Sequence, residues 1–168
     1  SARPESRASP IYKPNSKGLS MELEINPKPV LRDFQRKKLY RFEESVLEKH
    51  TLNQVLTLEG CTALARKYNP TIVVKDGRGR RHAGASFEDN LITLPIWSRQ
   101  TVIVLHEVAH TFVDDRKYPY HGAEFVGLLI GLLSRESIGT IDTNIAGVCR
   151  ARLRYDEAWI NRAPAMPA

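Results

Sequence analysis

Between Val30 and Lys49, apolar residues recur at roughly helical spacing, at Leu31, Phe34, Leu39, Phe42, Val46 and Leu47, with Lys, Arg and Glu between them. This predicts a helix with one buried stripe. A second helix is predicted from about Leu52 to Lys67, on Leu52, Val55, Leu56, Cys61, Leu64 and Ala65. Gly60 weakens its middle, and it stops before Asn69-Pro70 because proline disfavours helix in the preceding residue. The texture then changes. Thr71-Ile72-Val73-Val74 is rich in β-branched residues and is followed by the turn signals Asp76-Gly77 and Arg78-Gly79, so a short sheet begins here. Arg81 to Phe87 and Leu91 to Leu94 supply two further strands, joined through Glu88-Asp89-Asn90, with Pro95 placed to end an edge strand. Helical spacing returns after Ser98 through Val102, Leu105, Val108, Ala109, Phe112 and Val113. A polar loop from Asp114 to Tyr120 precedes an apolar helix from about Gly122 to Ser134, and Ser137 to Ala151 gives one last helix.

The two ends lack such a pattern. Residues 1–30 hold Pro4, Pro10, Pro14, Pro27 and Pro29 among scattered Ser, Arg and Lys, too little periodic apolar content to bury a face, and read as a flexible basic arm. The Pro-rich end after Trp159 reads as a frayed terminus, residues 161–168. One α+β domain over residues 31–160 remains, and a 42% apolar composition in 168 residues suffices for its core.

Charge and cysteine content narrow the class. The 25 Lys and Arg against 19 Asp and Glu leave a net +6, which favours acidic partners, nucleic acid among them, without requiring one. Arg78, Arg80, Arg81 and Arg150, Arg152, Arg154 are the runs that could meet nucleic acid, and their simpler reading is a solvated face. Cys61 and Cys149 are far apart and outside any CxxC pair, which leaves neither a disulfide framework nor a cysteine zinc ribbon. Both read as buried small apolar residues in a reducing, cytoplasmic compartment. Phe125 to Leu133, the longest apolar stretch, is interrupted by two glycines and falls far short of the ~20 residues of a membrane span.

Chemistry concentrates in His106-Glu107-Val108-Ala109-His110. A helix places residues i and i+4 on one face, so both imidazoles can share one ion. Zinc accepts neutral nitrogen and, when catalytic, keeps three protein ligands and a water, whose proton Glu107 is placed to take as general base. With 5 His and 12 Glu in 168 residues, the pattern arises by chance in about one such sequence in a hundred, so its context matters. That context is an amphipathic helix with a further candidate ligand downstream.

His121 is the expected third ligand, because the polar loop lets the chain reverse and bring the next helix back towards the first. The alternative is a loop histidine that caps that helix. Glu124 competes as third ligand and is otherwise expected to favour the positive helix end or to hold His121 from behind. Tyr118 and Tyr120 are candidates to donate a hydrogen bond to a developing oxyanion, or are merely packed. His50 and His82 are isolated and read as structural.

Taken together, His106 to His110 followed by His121-Gly122-Ala123-Glu124-Phe125 resembles the HExxH and HGxEF signatures of SprT-like and Spartan-like metalloproteases. With Arg32-Asp33-Phe34-Gln35-Arg36-Lys37-Lys38-Leu39-Tyr40 and Leu94-Pro95-Ile96-Trp97 added, the chain resembles a family of zinc metallohydrolases found in actinobacteria and their phages. The similarity covers about residues 31 to 150. It implies a small zincin fold in which a helix pair and a short sheet flank the active-site helix. It also implies one zinc ion on His106, His110 and His121, with catalysis by Glu107. The absence of any CxxC pair departs from SprT-like proteins that carry a zinc ribbon.

The expected function is therefore a zinc-dependent metallopeptidase acting on a peptide or protein substrate. Asn90 to Leu94 is the strand expected beside the cleft, with an edge to which an extended peptide could add. A zinc-stabilised protein- or DNA-interaction module without turnover is the alternative. It differs in predicting a protein group at the fourth metal position.

Overall fold

The computed structural model describes residues 31–162. The arm expected over residues 1–30, and residues 163–168 of the expected frayed terminus, lie outside the described residues. In chain order the elements are α1 (Arg36–Phe42), a π-turn (Glu43–Leu47), α2 (Leu58–Tyr68), β1 (Val73–Asp76), β2 (Gly84–Ser86) and β3 (Leu91–Leu94). A 3-10 turn (Ile96–Ser98) then leads into α3 (Thr101–His110), α4 (Ala123–Arg135), α5 (Ile141–Arg150) and α6 (Glu157–Ile160). The class is α+β, with six α-helices and one three-stranded mixed sheet among the described residues.

The interior is built round α4, whose residues Phe125 to Leu133 are all buried. A helix that is apolar on every side must be enclosed, and α3, α5 and α6 all pack against it. α6 comes so close that a Cβ at Gly127 would lie 2.2 Å from the Asp156 carbonyl oxygen, and one at Gly131 would lie 2.1 Å from that of Ile160. The two glycines that interrupt the apolar run are therefore where two backbones touch.

The sheet has the order β1-β3-β2, with β1 parallel and β2 antiparallel to β3. Ile92 and Leu94 of β3 are fully buried. Asn69, at the end of α2, donates to Asn90 Oδ1 (2.6 Å) and to Thr111 Oγ1 (3.0 Å), which ties the start of β3 to the end of α3.

Several sequence expectations need correction. β3 is the central strand and is paired on both sides, so it offers no edge to a peptide, and Pro95 ends an inner strand. The first helix is broken. α1 gives way to a π-turn, which adds a residue to the turn and puts the neighbours Phe42 and Glu43 both inside, whereas Phe34 is 71% exposed and Val46 also faces solvent. α2 starts later than expected, because Thr57 caps it by accepting from Gly60 N–H (3.0 Å). Val55 lies outside this helix, 84% exposed and bridged to Gln100. The second strand shrinks from Arg81–Phe87 to β2. α5 starts at Ile141 behind a Thr140–Thr143 capping box, since Ser137 and Gly139 have positive φ and cannot extend it. Beyond Ser137 the chain keeps its packing to the end of α6, where Trp159 and Ile160 are buried. Cys61 is buried as expected, and Cys149 is exposed.

Candidate metal centre

α3 carries His106 and His110 four residues apart, and both side chains are buried. After α3 the chain turns through Thr111–Tyr120, where Asp114 closes a tight turn by accepting from Arg116 N–H (3.0 Å). It returns at His121, just before the Gly122 N-cap of α4, and His121 is buried against the other two. A side chain at Gly122 would be tight, since a Cβ there would lie 3.0 Å from Glu124 Oε2 and 3.2 Å from Pro119. Phe125, one turn into α4, forms the floor. Its ring is stacked on His110 (4.3 Å between centroids) and meets His106 (4.9 Å) and His121 (5.2 Å) edge-on. Tyr120 stacks on the His110 ring at 3.8 Å, so that this imidazole is held between two aromatic rings.

The three Nε2 atoms form a nearly equilateral triangle, 3.2 Å from His106 to His110, 3.2 Å from His110 to His121 and 3.3 Å from His121 to His106. Three nitrogens bound tetrahedrally to one zinc at about 2.0–2.1 Å lie about 3.3–3.4 Å apart, so the spacing fits that ion. The far nitrogens fit it too. Nδ1 of His106 contacts Glu43 Oε1 at 2.5 Å, and Nδ1 of His121 contacts Asp33 Oδ2 at 2.6 Å. Each carboxylate fixes its ring with Nδ1 protonated and Nε2 turned into the triangle, an arrangement common behind histidine ligands. Three imidazole nitrogens converging this closely repel unless a cation lies between them.

The electrostatics follow from this crowding. Burial pulls the His106 imidazole down, but Glu43 at charge and hydrogen-bond range outweighs it and holds the group at about 9. Burial, and then the neighbouring His106 and His121, drive His110 well below its ordinary value. His121 falls to about 4, again through burial and then His106, against the opposing pull of Asp33. A single proton, on His106, thus stands in the triangle of the metal-free chain near neutral pH. Glu107 is pushed up to about 7, chiefly by burial, with His106 opposing and Glu43 adding to the rise.

Beside the triad opens a cavity of about 470 Å³, lined by Glu107, Tyr40, Tyr120, Trp97, His82 and Ala83 among others. Glu107 is 7% exposed and has no hydrogen-bond partner among the described residues. A larger, open depression of about 860 Å³, between the π-turn and α5, lies apart from this chemistry.

Other expected site residues fall differently. Glu124 is half-buried over Gly122 and takes no part in holding His121, because Asp33 occupies that Nδ1. Tyr118 packs edge-on against Trp159 (5.4 Å) and is not among the residues that line the cavity. Tyr120 does line it, with its hydroxyl 3.5 Å from the Ala85 carbonyl. His82 is exposed on the cavity wall, and His50 accepts from Leu52 N–H (3.1 Å) in a local turn. Asp33, Glu43 and Tyr40 join the site without having been singled out. Asp33 and Tyr40 lie in the stretch that carries the family resemblance, and Glu43 had no signal beyond its charge.

No family model, no curated protein and no solved structure matches this chain.

Proposed function

We propose that the chain is a zinc-dependent metallopeptidase of zincin type, as its HExxH and HGxEF signatures imply, with zinc held by His106, His110 and His121. The observation that carries this reading is the Nε2 triangle, sized for one tetrahedral ion and opening beside a cavity that also receives the unpartnered carboxylate of Glu107. Among the described residues no fourth histidine, cysteine or carboxylate joins the cluster, which favours a catalytic centre over a closed structural one. The non-catalytic alternative needs such a group.

Zinc at the triad supplies Lewis acidity, which polarises a peptide carbonyl and brings the pKa of a water to ~7. The protein's own groups supply the rest. Glu107 takes a proton from the attacking water and passes it to the departing amine. Glu43 and Asp33 keep His106 and His121 in the correct tautomer and orientation. Tyr120 keeps its proton far above neutral pH, since burial and then Glu107 raise it, and its hydroxyl can turn from the Ala85 carbonyl (3.5 Å) to donate to a carbonyl oxygen that gains charge. The strand that serves the substrate is β2. It is an outer strand, and His82 and Ala83, which lead into it, line the cavity, so an extended peptide adding there runs past the triad.

Zinc analysis and cleavage of an unfolded protein by wild type and three variants test this. About one zinc per chain is expected in wild type, with loss of metal in His110→Ala and His121→Ala. Glu107→Gln is expected to keep the metal and lose cleavage. Zinc-loaded wild type that cleaves nothing, or Glu107→Gln that cleaves normally, would exclude the mechanism.

A further inference from the structure

We infer that the cavity beside the triad contains a cation-selective subsite, formed by Glu44 and Glu48, that receives the lysine or arginine side chain of a bound peptide. The inference rests on the peptide-binding reading of that cavity. In a chain of net charge +6, four of the 12 glutamates line this one space: Glu43, Glu44, Glu48 and Glu107. Glu43 is committed to His106. Glu44 and Glu48 stand four residues apart along the π-turn and its end, so both face the same way. Neither has an ion-pair partner among the described residues, although the wider surface offers abundant Lys and Arg.

Two further features point to a ligand rather than to a solvated acidic face. First, Glu107 is nine-tenths buried, has no hydrogen-bond partner among the described residues and lines the same space, so the cavity already holds a desolvated carboxylate short of donors. Second, the cations present leave the carboxylates uncompensated. Among the described residues Arg36 is the one Lys or Arg in the lining, and its guanidinium sits over the Tyr40 ring (5.7 Å to the centroid). Burial, then Glu43 and Glu44, push the Glu48 carboxyl up, as expected where like charges share a recess without a counter-ion.

The remaining lining suits the whole of a long cationic side chain. Ile103 and Trp97, the latter 55% exposed, give the wall an apolar part against which an aliphatic stem can lie. The indole of Trp97 is steadied by its Nε1–H donating to the Arg81 carbonyl (3.1 Å), and its face can attract a cation. An acidic side chain placed against Glu44 and Glu48 would be repelled by both, and a short neutral one would leave them unpaired.

The test uses full-length, zinc-loaded Glu107→Gln protein, which binds peptide without cleaving it. The probes are two fluorescein-labelled pentapeptides, one with a central lysine and one with Nε-acetyl-lysine in its place. The lysine peptide is expected to bind at least about fivefold tighter, because a partly desolvated ion pair exceeds an exposed one. Adding Glu44→Gln and Glu48→Gln brings the ratio to one, with zinc content and circular dichroism unchanged. Equal binding of the two peptides, no binding of the lysine peptide at millimolar concentration, or a preference that survives both substitutions overturns the subsite. The peptidase reading fails separately. Wild type that prefers the lysine peptide yet cleaves neither retains the subsite and loses the catalysis, whereas wild type that cleaves both at equal rates does the reverse.

Discussion

Two carboxylates, Asp33 and Glu43, back two of the histidines, and they differ in what they cost the protein. His121 is already neutral at pH 7, because burial holds it at about 4, so Asp33 aids metal binding without competing as a proton trap. Asp33→Asn keeps the shape and can keep a hydrogen bond to Nδ1, but it removes the charge that raises ligand basicity. Zinc affinity is expected to fall about 10–100-fold, measured by competition with a chromogenic chelator. An unchanged affinity would mean that Asp33 only positions the ring. Glu43 acts differently. It holds His106 near 9, so at pH 7 the metal must displace that proton. Without Glu43, burial dominates and His106 is neutral at this pH. Zinc binding is therefore expected to release about one more proton in wild type than in Glu43→Gln, measured by calorimetry in buffers of different ionisation enthalpy. The difference between the two proteins cancels the contribution of water. Equal release would show that Glu43 does not keep His106 charged. Neither carboxylate was legible as a partner, since they lie 88 and 63 positions from their histidines and nothing local marks an acid that pairs at such range. The triad was legible for the opposite reason. Helical spacing joins His106 to His110, and a short loop delivers His121.

Among the elements, those with a strong period were legible and those set by tertiary contacts were not. α3 and α4 lie within a few residues of their expected limits because each is long, apolar and bounded by Gln100, the polar loop or Gly122. β3 also has its expected limits, yet its neighbours could not be read, because alternation along four residues does not say on which sides a strand is paired. The π-turn was invisible for a related reason. Apolar spacing around Phe42 and Val46 fits a regular helix, and only the pull of His106 on Glu43 and the burial of Leu47 select the wider turn. Gly127 and Gly131 carried information that the apolar pattern alone left unused, since their spacing marks the α4 face that meets α6. Gly131→Ala raises helix propensity by ~1 kcal/mol but forces two backbones apart. A net loss of about 2 kcal/mol is expected in denaturant unfolding, with zinc stoichiometry preserved because the triad lies at the other end of α4. Unchanged stability would mean that α6 moves aside freely.

At the scale of the whole molecule, the centre joins stretches that are far apart in the chain, and the metal is expected to bind them together. Asp33 and Glu43 reach the triad from either side of α1, while Gln35 donates to the carbonyls of His121 (3.0 Å) and Arg154 (3.1 Å) and accepts from Arg154 N–H. α1 is thus fastened to the start of α4 and to the chain beyond α5 by polar contacts, besides the core packing of Leu39 and Phe42 and of Leu47 in the π-turn. α4 is enclosed on all sides and owes the metal nothing. Removing zinc leaves one proton, on His106, among three crowded imidazoles, so the ion that would tie α3 to the start of α4, and through their histidines Glu43 and Asp33 to both, is lost. Chelation is therefore expected to cost stability by linkage, about 2.7 kcal/mol when free zinc stood at 100 times its Kd. The loss should be uneven. Amide hydrogen exchange is expected to accelerate over residues 33–47 and 106–121 while residues 125–133 stay protected, because local opening follows the weakest set of contacts. Faster exchange at 106–121 alone would mean that α1 is held by its apolar residues and that the carboxylates merely follow the histidines. Equal acceleration everywhere would mean that zinc supports the core itself, which the enclosed packing of α4 argues against.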